Sequence, residues 1–393
     1  MVTLKPQSKT SHAFESFRLK SSDDHFSTFA LESRIKTQAR PGALAGTCIV
    51  VKDNIDFKGM KNSVGNKAFY DVCPPRNESA TCIQPLNEKG VVVVDKAKMS
   101  SFANWEEPIE STDYQAPWNP REDGYQSPGG SSSGSAAAAA TYDWLDIAIG
   151  TDTWGSVTRP ALWCGCYGLR PSFGAVASGI EPCCQVYDTA GILGRDLHKC
   201  RDFAVEWLSP AALQSPPMSF ASIIWPIDFW KPTDAKQNAI AQAFAQQMKT
   251  FLNAEYAEVS FEATWLASPP AQAASKPLPE YINEACDMQE YDAYHNLDDF
   301  RENYHRQYNH APYVSPPNQK SWKFTKTISK EARNKGFARL DVYKKWFEDA
   351  ILAANNNNNT LIIMPQESMQ SRYRDELPTY ASPIHPRAST PLL

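Results

Sequence analysis

Three short apolar runs, each followed by polar or small residues, limit most strongly how this chain can fold. They lie at Thr47–Val51 (TCIVV), Val91–Val94 (VVVV) and Asp146–Ile149 (DIAI). Runs rich in β-branched residues and bounded in this way are typical of buried strands. Helices are predicted between them, near Thr81–Glu88 and at the alanine run Ala136–Ala140. Strands that alternate with helices predict an α/β fold, in which functional loops follow the strand ends.

Composition argues against several functional classes. The 393 residues are 42% hydrophobic and 21% charged, which is typical of a chain that buries a globular core. The net charge of -5, with no cluster of Lys and Arg among aromatic residues, argues against a nucleic-acid partner. The sequence has neither a signal-peptide core nor an apolar run of roughly 18 to 20 residues. It therefore predicts a cytoplasmic protein with no membrane span.

The nine cysteines do not follow a metal or disulfide pattern. Cys164 and Cys166 are separated by one residue, and Cys183 is adjacent to Cys184. Neither pair has the CxxC spacing of zinc or redox sites, and no spacing of His and Glu suggests a metal. The sequence therefore predicts reduced thiols and no metal site.

The chain beyond position 209 carries weaker signals. Ser209–Pro217 is rich in Pro, Ala and Ser, which predicts a surface crossing between two halves of the fold. A helix capped by Thr233 or Asp234 should follow, with these apolar residues facing the core: Ile240, Phe244, Met248 and Phe251. The run Asn355–Asn359 predicts a loop before the strand-like Leu361–Met364.

The stretch SPGGSSSGSAAAAA at Ser127–Ala140 has the composition of a flexible tether, but it can equally be a loop whose small residues make room for chemistry. The sequence lacks the GxSxG of α/β-hydrolases and the GxxxxGK[ST] of phosphate-binding loops. The seven histidines are scattered, although a Ser-His-Asp triad could still form through space.

Lys52 directly follows a predicted strand and is a candidate general base. Burial disfavours the ammonium form and lowers the pKa of a lysine toward neutrality, so that the amine can take up a proton. The alternative is an ordinary solvated lysine at a strand end. Ser156, in a second turn of small residues, is a further candidate.

Three motifs, in order along the chain, are similar to those of the amidase signature family. They are VVKDNIDFKG from Val50, SPGGSSSGSAAAAA from Ser127, and AIGTDTWGSVTRPALWCGCYGLRPSFGAV from Ala148. The linking segment VVVVDKAKMSSFANW also resembles that of the family. The form GGSSSGSA looks closest to plant and fungal amidases of the indole-acetamide hydrolase type. The similarity covers roughly Leu44 to Asp196 and then fades.

The resemblance implies a Ser–cis-Ser–Lys triad. Lys52 matches the base and Ser156 the nucleophile. Ser131 matches the serine that carries an unusual cis peptide bond, and Ser132 is the alternative because three serines follow one another. The backbone N–H groups that would hold the oxyanion belong to Thr153, Trp154, Gly155 and Ser156.

The chain departs from the family motif at two places. Trp154 stands where the family has a glycine, which permits close substrate approach and positive φ. Its ring either packs against an aromatic or planar substrate or points away. Thr158 stands where the family has an arginine that pairs with the aspartate matching Asp152, so the pair is expected to be shifted or absent; one hypothesis is that Arg159 bends back to form it.

The resemblance also implies a mixed central β-sheet covered by helices on both faces. Residues 1–393 would form a single amidase-like domain, with 44–196 as the signature core and 209–393 as the less family-like second half. The family's closing strand and helix are not found before Leu393, so the C-terminal part is expected to be incomplete.

The function implied is hydrolysis of the C–N bond of a small carboxamide, other than a peptide bond, through a serine acyl-enzyme. No cofactor is expected. Two alternatives stay open: a catalytically silent relative that serves as a binding or scaffold protein, and an acyltransferase that uses the same residues. A homodimer is one assembly that the sequence allows.

Overall fold

The computed structural model describes residues 3–6, 14–17, 41–176, 183–184, 186–209, 213, 220–231, 233–353, 359–366 and 372–377. The chain divides into two compact units. The first unit comprises Met1–Gln214, Ala293–Trp322 and Ser371–Thr379, and the second comprises Ser215–Asp292, Lys323–Gln370 and Tyr380–Leu393.

Secondary structure alternates between strands and helices along most of the chain. The described strands are β1 Thr3–Pro6, β2 Phe14–Phe17, β3 Cys48–Lys52, β4 Val92–Ala97, β5 Ile147–Asp152, β6 Tyr167–Leu169, β7 Thr189–Gly194, β8 Ser222–Pro226, β9 Glu255–Val259 and β10 Thr360–Ile362. The described α-helices are α1 Lys67–Val72, α2 Gln84–Glu88, α3 Ser133–Thr141, α4 Thr158–Cys164, α5 Leu197–Trp207, α6 Ile227–Trp230, α7 Ala235–Leu252, α8 Phe261–Ala267, α9 Leu278–His295, α10 Asp298–Tyr308, α11 Pro316–Thr325 and α12 Lys330–Trp346.

The first unit contains a five-stranded mixed sheet in the order β4-β3-β5-β7-β6. β3 is parallel to both β4 and β5, whereas β7 is antiparallel to β5 and β6. The three apolar runs noted in the sequence form its three neighbouring parallel strands, as expected for runs that are buried on both faces. The α/β class and the mixed sheet predicted from the sequence are confirmed.

Helices cover both faces of this sheet because the strand residues alternate. Ile49 and Val51 pack in one cluster with residues of α2 and α5, including Leu86 and Phe203. Val50 points to the other face and packs in a second cluster, with Ala136–Ala139 of α3 and with residues of α4. The prediction of helices on both faces is therefore confirmed for this unit.

Helix α3 owes its close approach to small side chains. Ala136–Ala139 are buried in the cluster that α3 shares with the sheet. A Cβ atom at Gly134 would lie 2.5 Å from the backbone nitrogen of Lys98, so only glycine fits at this contact. Alanine also has the highest intrinsic helix propensity. The small-residue run thus places the first turn of α3 directly against the neighbouring chain segment.

The second unit contains a three-stranded parallel sheet in the order β10-β8-β9. Asp234 caps α7 by accepting from the amides of Lys236 and Gln237. Ala245 of α7 packs with the stacked rings of Trp225 and Trp230.

The prediction that the large apolar side chains of α7 face the core is wrong for three of its four residues. They are exposed: Ile240 to 64%, Phe244 to 51% and Phe251 to 82%. The helix instead packs through its small residues, Ala241 and Ala245, because the two indole rings fill the space beneath it.

The remaining predictions for this part of the chain have mixed outcomes. The strand near Leu361 is confirmed as β10. Most of the predicted crossing at Ser209–Pro217 and most of the run Asn355–Asn359 lie outside the described residues. Among the residues that are described, no helix combines the length and the apolar character needed to cross a bilayer.

Candidate active site

Three segments of the first unit meet where β3 and β5 end. Because these parallel neighbours pair Val51 with Ile149, their carboxyl ends lie at the same edge of the sheet. The serine-rich loop that precedes α3 is fastened there by Ser132. Its amide donates to the carbonyl oxygen of Ser156 at 3.0 Å, and its Oγ donates to the carbonyl oxygen of Thr151 at 3.1 Å. The predicted base, the serine loop and the predicted nucleophile turn are therefore brought together.

Lys52 projects from the end of β3 into this meeting point and is 0% exposed. Its Nζ donates to Ser131 Oγ at 2.7 Å and to the carbonyl oxygen of Thr151 at 3.1 Å. Burial lowers the pKa of Lys52 to about 7, against the opposing charges of Asp152 and Asp188 and a smaller effect of the Cys183 thiol. A lysine in this state is uncharged in a large fraction of molecules at neutral pH.

The structure separates the two candidate serines of the loop. Ser131 is the partner of Lys52, and the peptide bond between Gly130 and Ser131 is cis. Ser132 is bound through its hydroxyl to the backbone of Thr151. A Cβ at Gly130 would lie 2.5 Å from Ser100 Oγ, so a larger residue before Ser131 would require the Ser100 hydroxyl to rotate away. Ser131, rather than Ser132, therefore lies in contact with the candidate base.

The turn that carries Ser156 is organised by the Asp152 carboxylate. Oδ1 accepts from the amide of Gly155 at 2.8 Å, and Oδ2 accepts from the amide of Val157 at 2.6 Å. Gly155 has φ of +115°, a value that strongly favours glycine. Ser156 is half-buried at the apex of this turn. The acidic side chain thus shapes the loop that presents the candidate nucleophile.

This arrangement corrects one part of the predicted oxyanion hole. The amide of Gly155 points at Asp152 and is not available to a substrate. The amides of Thr153 and Ser156 make no hydrogen bond to any other residue within the described part of the chain. Gly155 is therefore removed from the predicted set of four oxyanion donors.

Trp154 occupies its position without the backbone conformation that glycine would supply. Trp154 is not among the described non-glycine residues with positive φ. The neighbouring Gly155 does have a positive φ. The side chain of Trp154 is half-buried. Replacement of the family's glycine by tryptophan therefore requires no strained backbone at this position.

The prediction that Arg159 pairs with Asp152 is wrong. Asp152 forms its ion pair with Arg170, whose Nη1 lies 2.9 Å from Oδ1 and 2.6 Å from the carbonyl oxygen of Asp152. The Arg159 guanidinium stacks on the ring of Trp105, with its central carbon 3.4 Å from the ring centroid. Burial lowers the pKa of Arg159 to about 9.

Arg170 is a residue of the candidate site that the sequence reasoning missed. It lies one residue beyond β6, which pairs with β7, and β7 in turn pairs with β5. Only this strand order brings Arg170 to the end of β5. Its position inside the motif CYGLRPSF was the one signal available in the sequence.

No metal site accompanies this arrangement in the part of the chain that is described, since no three or more His, Cys, Asp or Glu side chains cluster there to hold an ion. The eight described cysteines are all free thiols. The chemistry available at the site is that of one amine, several hydroxyls and a turn of backbone amides.

The sequence is similar to those of known proteins. Residues 26–221, about half of the chain, match the family model Amidase. A glutamyl-tRNA(Gln) amidotransferase subunit of Clostridium botulinum is 37% identical over 172 residues, which are 44% of this chain and 34% of that protein. The corresponding protein of Halobacterium salinarum is 42% identical over 149 residues, which are 38% and 34% of the two chains. The chain spans about a third of the length of these curated relatives.

The fold has solved counterparts. A crystal structure of an amidase superposes with a TM-score of 0.66 at 23% identity, over 85% of this chain and 70% of that one. The residues that match the family model include the strands and loops that build the site, from β3 through the turn of Ser156. The chain belongs to the amidase signature family.

Proposed function

We propose that this protein hydrolyses the C–N bond of a small carboxamide through a covalent acyl-serine intermediate. One observation carries the proposal: the fully buried Lys52 amine contacts the hydroxyl of Ser131 at 2.7 Å. The same loop is hydrogen-bonded to Ser156 through its neighbour Ser132. A lysine that can be uncharged near pH 7 and that contacts the Ser131 hydroxyl supports general-base activation of a serine nucleophile.

The reaction begins with the transfer of two protons and the formation of the bond between Ser156 and the substrate. The Lys52 lone pair accepts the proton of Ser131, and Ser131 accepts the proton of Ser156. The Ser156 oxygen then bonds to the carbonyl carbon of the amide, whose π electrons move to oxygen. The proton returns along the same path to the amide nitrogen, so that the C–N bond breaks with a neutral amine as leaving group. Water attacks the ester by the same relay and releases the acid.

The oxyanion that forms on the carbonyl oxygen needs hydrogen-bond donors held in place beforehand. We assign the amides of Thr153 and Ser156 to this role, because that of Gly155 is bound to Asp152. Each such donor typically contributes about 3 kcal/mol to transition-state stabilisation. The Trp154 amide lies in the same turn, and a ring that faces the substrate would limit the size or favour the planarity of the acyl group.

Two alternatives predict different behaviour of the same residues. A silent binding or scaffold protein would keep the fold but leave Ser156 unreactive. An acyltransferase would form the acyl-enzyme and pass the acyl group to an amine in preference to water. Relatives named as amidotransferase subunits support a test of the acyltransferase alternative. This chain spans only about a third of their length. No cofactor enters either scheme.

Labelling with a fluorophosphonate probe tests the proposal. We expect the wild-type protein to be labelled and Ser156→Ala to lose labelling by about a thousandfold or more. The exposed Ser172, which lies outside the site, provides the matched control, and Ser172→Ala should be labelled at the wild-type rate. Absence of labelling in folded wild-type protein would reject the hydrolase in favour of the silent relative.

A panel of primary amides then distinguishes hydrolysis from transfer. Release of ammonia and the free acid without added amine supports the hydrolase. Product that appears only when a second amine is supplied supports the acyltransferase.

A further inference from the structure

Asp188, immediately before β7, is a buried acid that the mechanism above does not use. Its Oδ1 accepts from the hydroxyl of Thr153 at 2.5 Å. Its Oδ2 accepts from the amides of Cys183 and Cys184 at 2.7 and 2.9 Å. Asp188 therefore ties the first residue of the nucleophile turn to the segment that precedes β7.

The two acids near Lys52 differ in how their charge is balanced. Asp152 is paired with the guanidinium of Arg170 and accepts from the backbone amides of the turn. Asp188 accepts only from neutral donors, and in the described part of the chain Lys52 is the cation whose charge acts on it. The groups that act on Lys52 are these two carboxylates and the thiol of Cys183. Lys52 therefore acts on Asp188 as a nearby charge and not through a direct ion pair, since its described contacts are Ser131 and the Thr151 carbonyl oxygen.

We propose that Asp188 is a positioning residue for the Lys52–Ser131 base, acting in two ways. Its negative charge stabilises the ammonium that forms on Lys52 when the proton relay runs. Its hydrogen bond to Thr153 holds the turn that carries Ser156 and the oxyanion amides. The inference rests on the proposed function, since both roles serve the same relay.

The proposal has a direct consequence for pH dependence. Burial raises the pKa of Asp188 to about 6, and burial lowers the pKa of Lys52 to about 7. The working state requires an uncharged Lys52 and an ionised Asp188, so two protons must leave before the site is active. A logarithmic plot of labelling rate against pH should therefore approach a slope of two below about pH 6. Lys52 acting alone would give a slope of one.

The experiment measures the rate of fluorophosphonate labelling from pH 4.5 to 9 in the wild type and in Asp188→Asn, roughly spanning both transitions. The variant should show a slope of one, and its midpoint should move down by about one pH unit because a negative charge that favoured the Lys52 ammonium is gone. Its plateau rate should also fall, by about a thousandfold or more, because a slope of two requires the site without the Asp188 charge to be nearly inactive. Asp143→Asn removes an exposed carboxylate paired with Arg195 and should reproduce the wild-type profile.

A second variant separates the effect of the Asp188 charge from that of its hydrogen bond to Thr153. Thr153→Val keeps the Asp188 carboxylate but removes the hydroxyl that it binds. We expect a plateau about tenfold lower, and the Asp188 transition should move to higher pH because the lost hydrogen bond favoured the carboxylate, opposite in direction to the shift in Asp188→Asn. Thr153→Ser should restore most of the rate because the hydroxyl returns.

The outcomes distinguish failure of this inference from failure of the proposed function. If the wild type is labelled but its profile has a slope of one, or if Asp188→Asn lowers the rate equally at every pH, the charge role is wrong. If the wild type is not labelled at all, the proposed function itself fails. Should Asp188→Asn not fold, the slope of the wild-type profile and the Thr153 variants still decide.

Discussion

Arg170 reaches the end of β5 from 18 residues away and holds Asp152 at two points, with Nη1 2.9 Å from the carboxylate and 2.6 Å from the backbone carbonyl oxygen. Its other terminal nitrogen donates to the carbonyl oxygen of Tyr187 at 2.9 Å. One side chain therefore links the nucleophile turn to the segment before β7. The cation that pairs with Asp152 is therefore distant from it in sequence, although Thr158 stands two residues after Ser156.

Arg170→Met should lower the free energy of unfolding by about 3 kcal/mol. The side chain of Asp152 is fully buried, so it would keep its negative charge without a cation. Urea unfolding at neutral pH measures the loss. Arg195 is the matched control, since its side chain is 30% exposed against 27% for Arg170, but its partner Asp143 is solvated. Arg195→Met should cost less than about 1 kcal/mol, and equal losses would contradict the argument.

The two serines of the loop should respond differently to loss of the hydroxyl. Ser131→Ala removes the group that contacts Lys52 and should slow fluorophosphonate labelling by about a hundredfold or more. Ser132→Ala removes the bond to the Thr151 carbonyl oxygen, so it should cost about 1 to 2 kcal/mol of stability and keep labelling within about tenfold of wild type. Labelling rates and urea midpoints of the two variants check this. The opposite ranking would exchange the assignments of Ser131 and Ser132.

The site was predictable where the chemistry follows directly after a strand. Lys52 ends β3, and Ser156 follows β5 by four residues, so apolar runs alone place both near one sheet edge. Burial of Lys52 then follows from parallel strands that are covered on both faces. The sequence motifs added Ser131 with Ser132 as its alternative, and only the contact with Lys52 distinguishes the two.

Contacts that depend on strand order were not predictable in the same way. Arg170 and Asp188 reach the site because β6 and β7 return antiparallel to β5, an order that no local pattern encodes. The prediction that the large apolar residues of α7 face the core was wrong for a related reason. Apolar periodicity predicts which residues share a face, but the stacked indoles of Trp225 and Trp230 decide that the small face packs inward.

Trp154→Gly should cost about 1 kcal/mol of stability, because glycine increases the conformational freedom of the unfolded chain. Labelling by a small fluorophosphonate should stay within about tenfold of wild type. The amides of Thr153 and Ser156 do not depend on the indole, and the backbone at Trp154 does not need positive φ. Trp154→Ala separates ring removal from chain flexibility. A rise of about a hundredfold in both variants would instead mean that the indole obstructs the oxyanion site.

Lys52→Met should destroy labelling and yet stabilise the fold, with a pH dependence that identifies the cause. In the folded protein burial lowers the pKa of Lys52 from its ordinary 10.5 to about 7. Between these values the unfolded chain binds more protons than the folded one, so the free energy of unfolding of the wild type rises with pH. The cost of burying the ammonium is therefore complete below about pH 7 and absent above about pH 10.5.

The gain from Lys52→Met should accordingly be about 3 kcal/mol at pH 6 and shrink toward pH 10, as followed by urea unfolding at each pH. Lys96 is the matched control, because it is also a buried lysine at a neighbouring strand but lies 3.2 Å from the Asp53 carboxylate. Lys96→Met leaves that carboxylate without its cation and should destabilise the protein at both pH values. A Lys52 variant that is less stable than the wild type at pH 6 would show that the buried amine contributes more through its bonds to Ser131 and Thr151 than its desolvation costs.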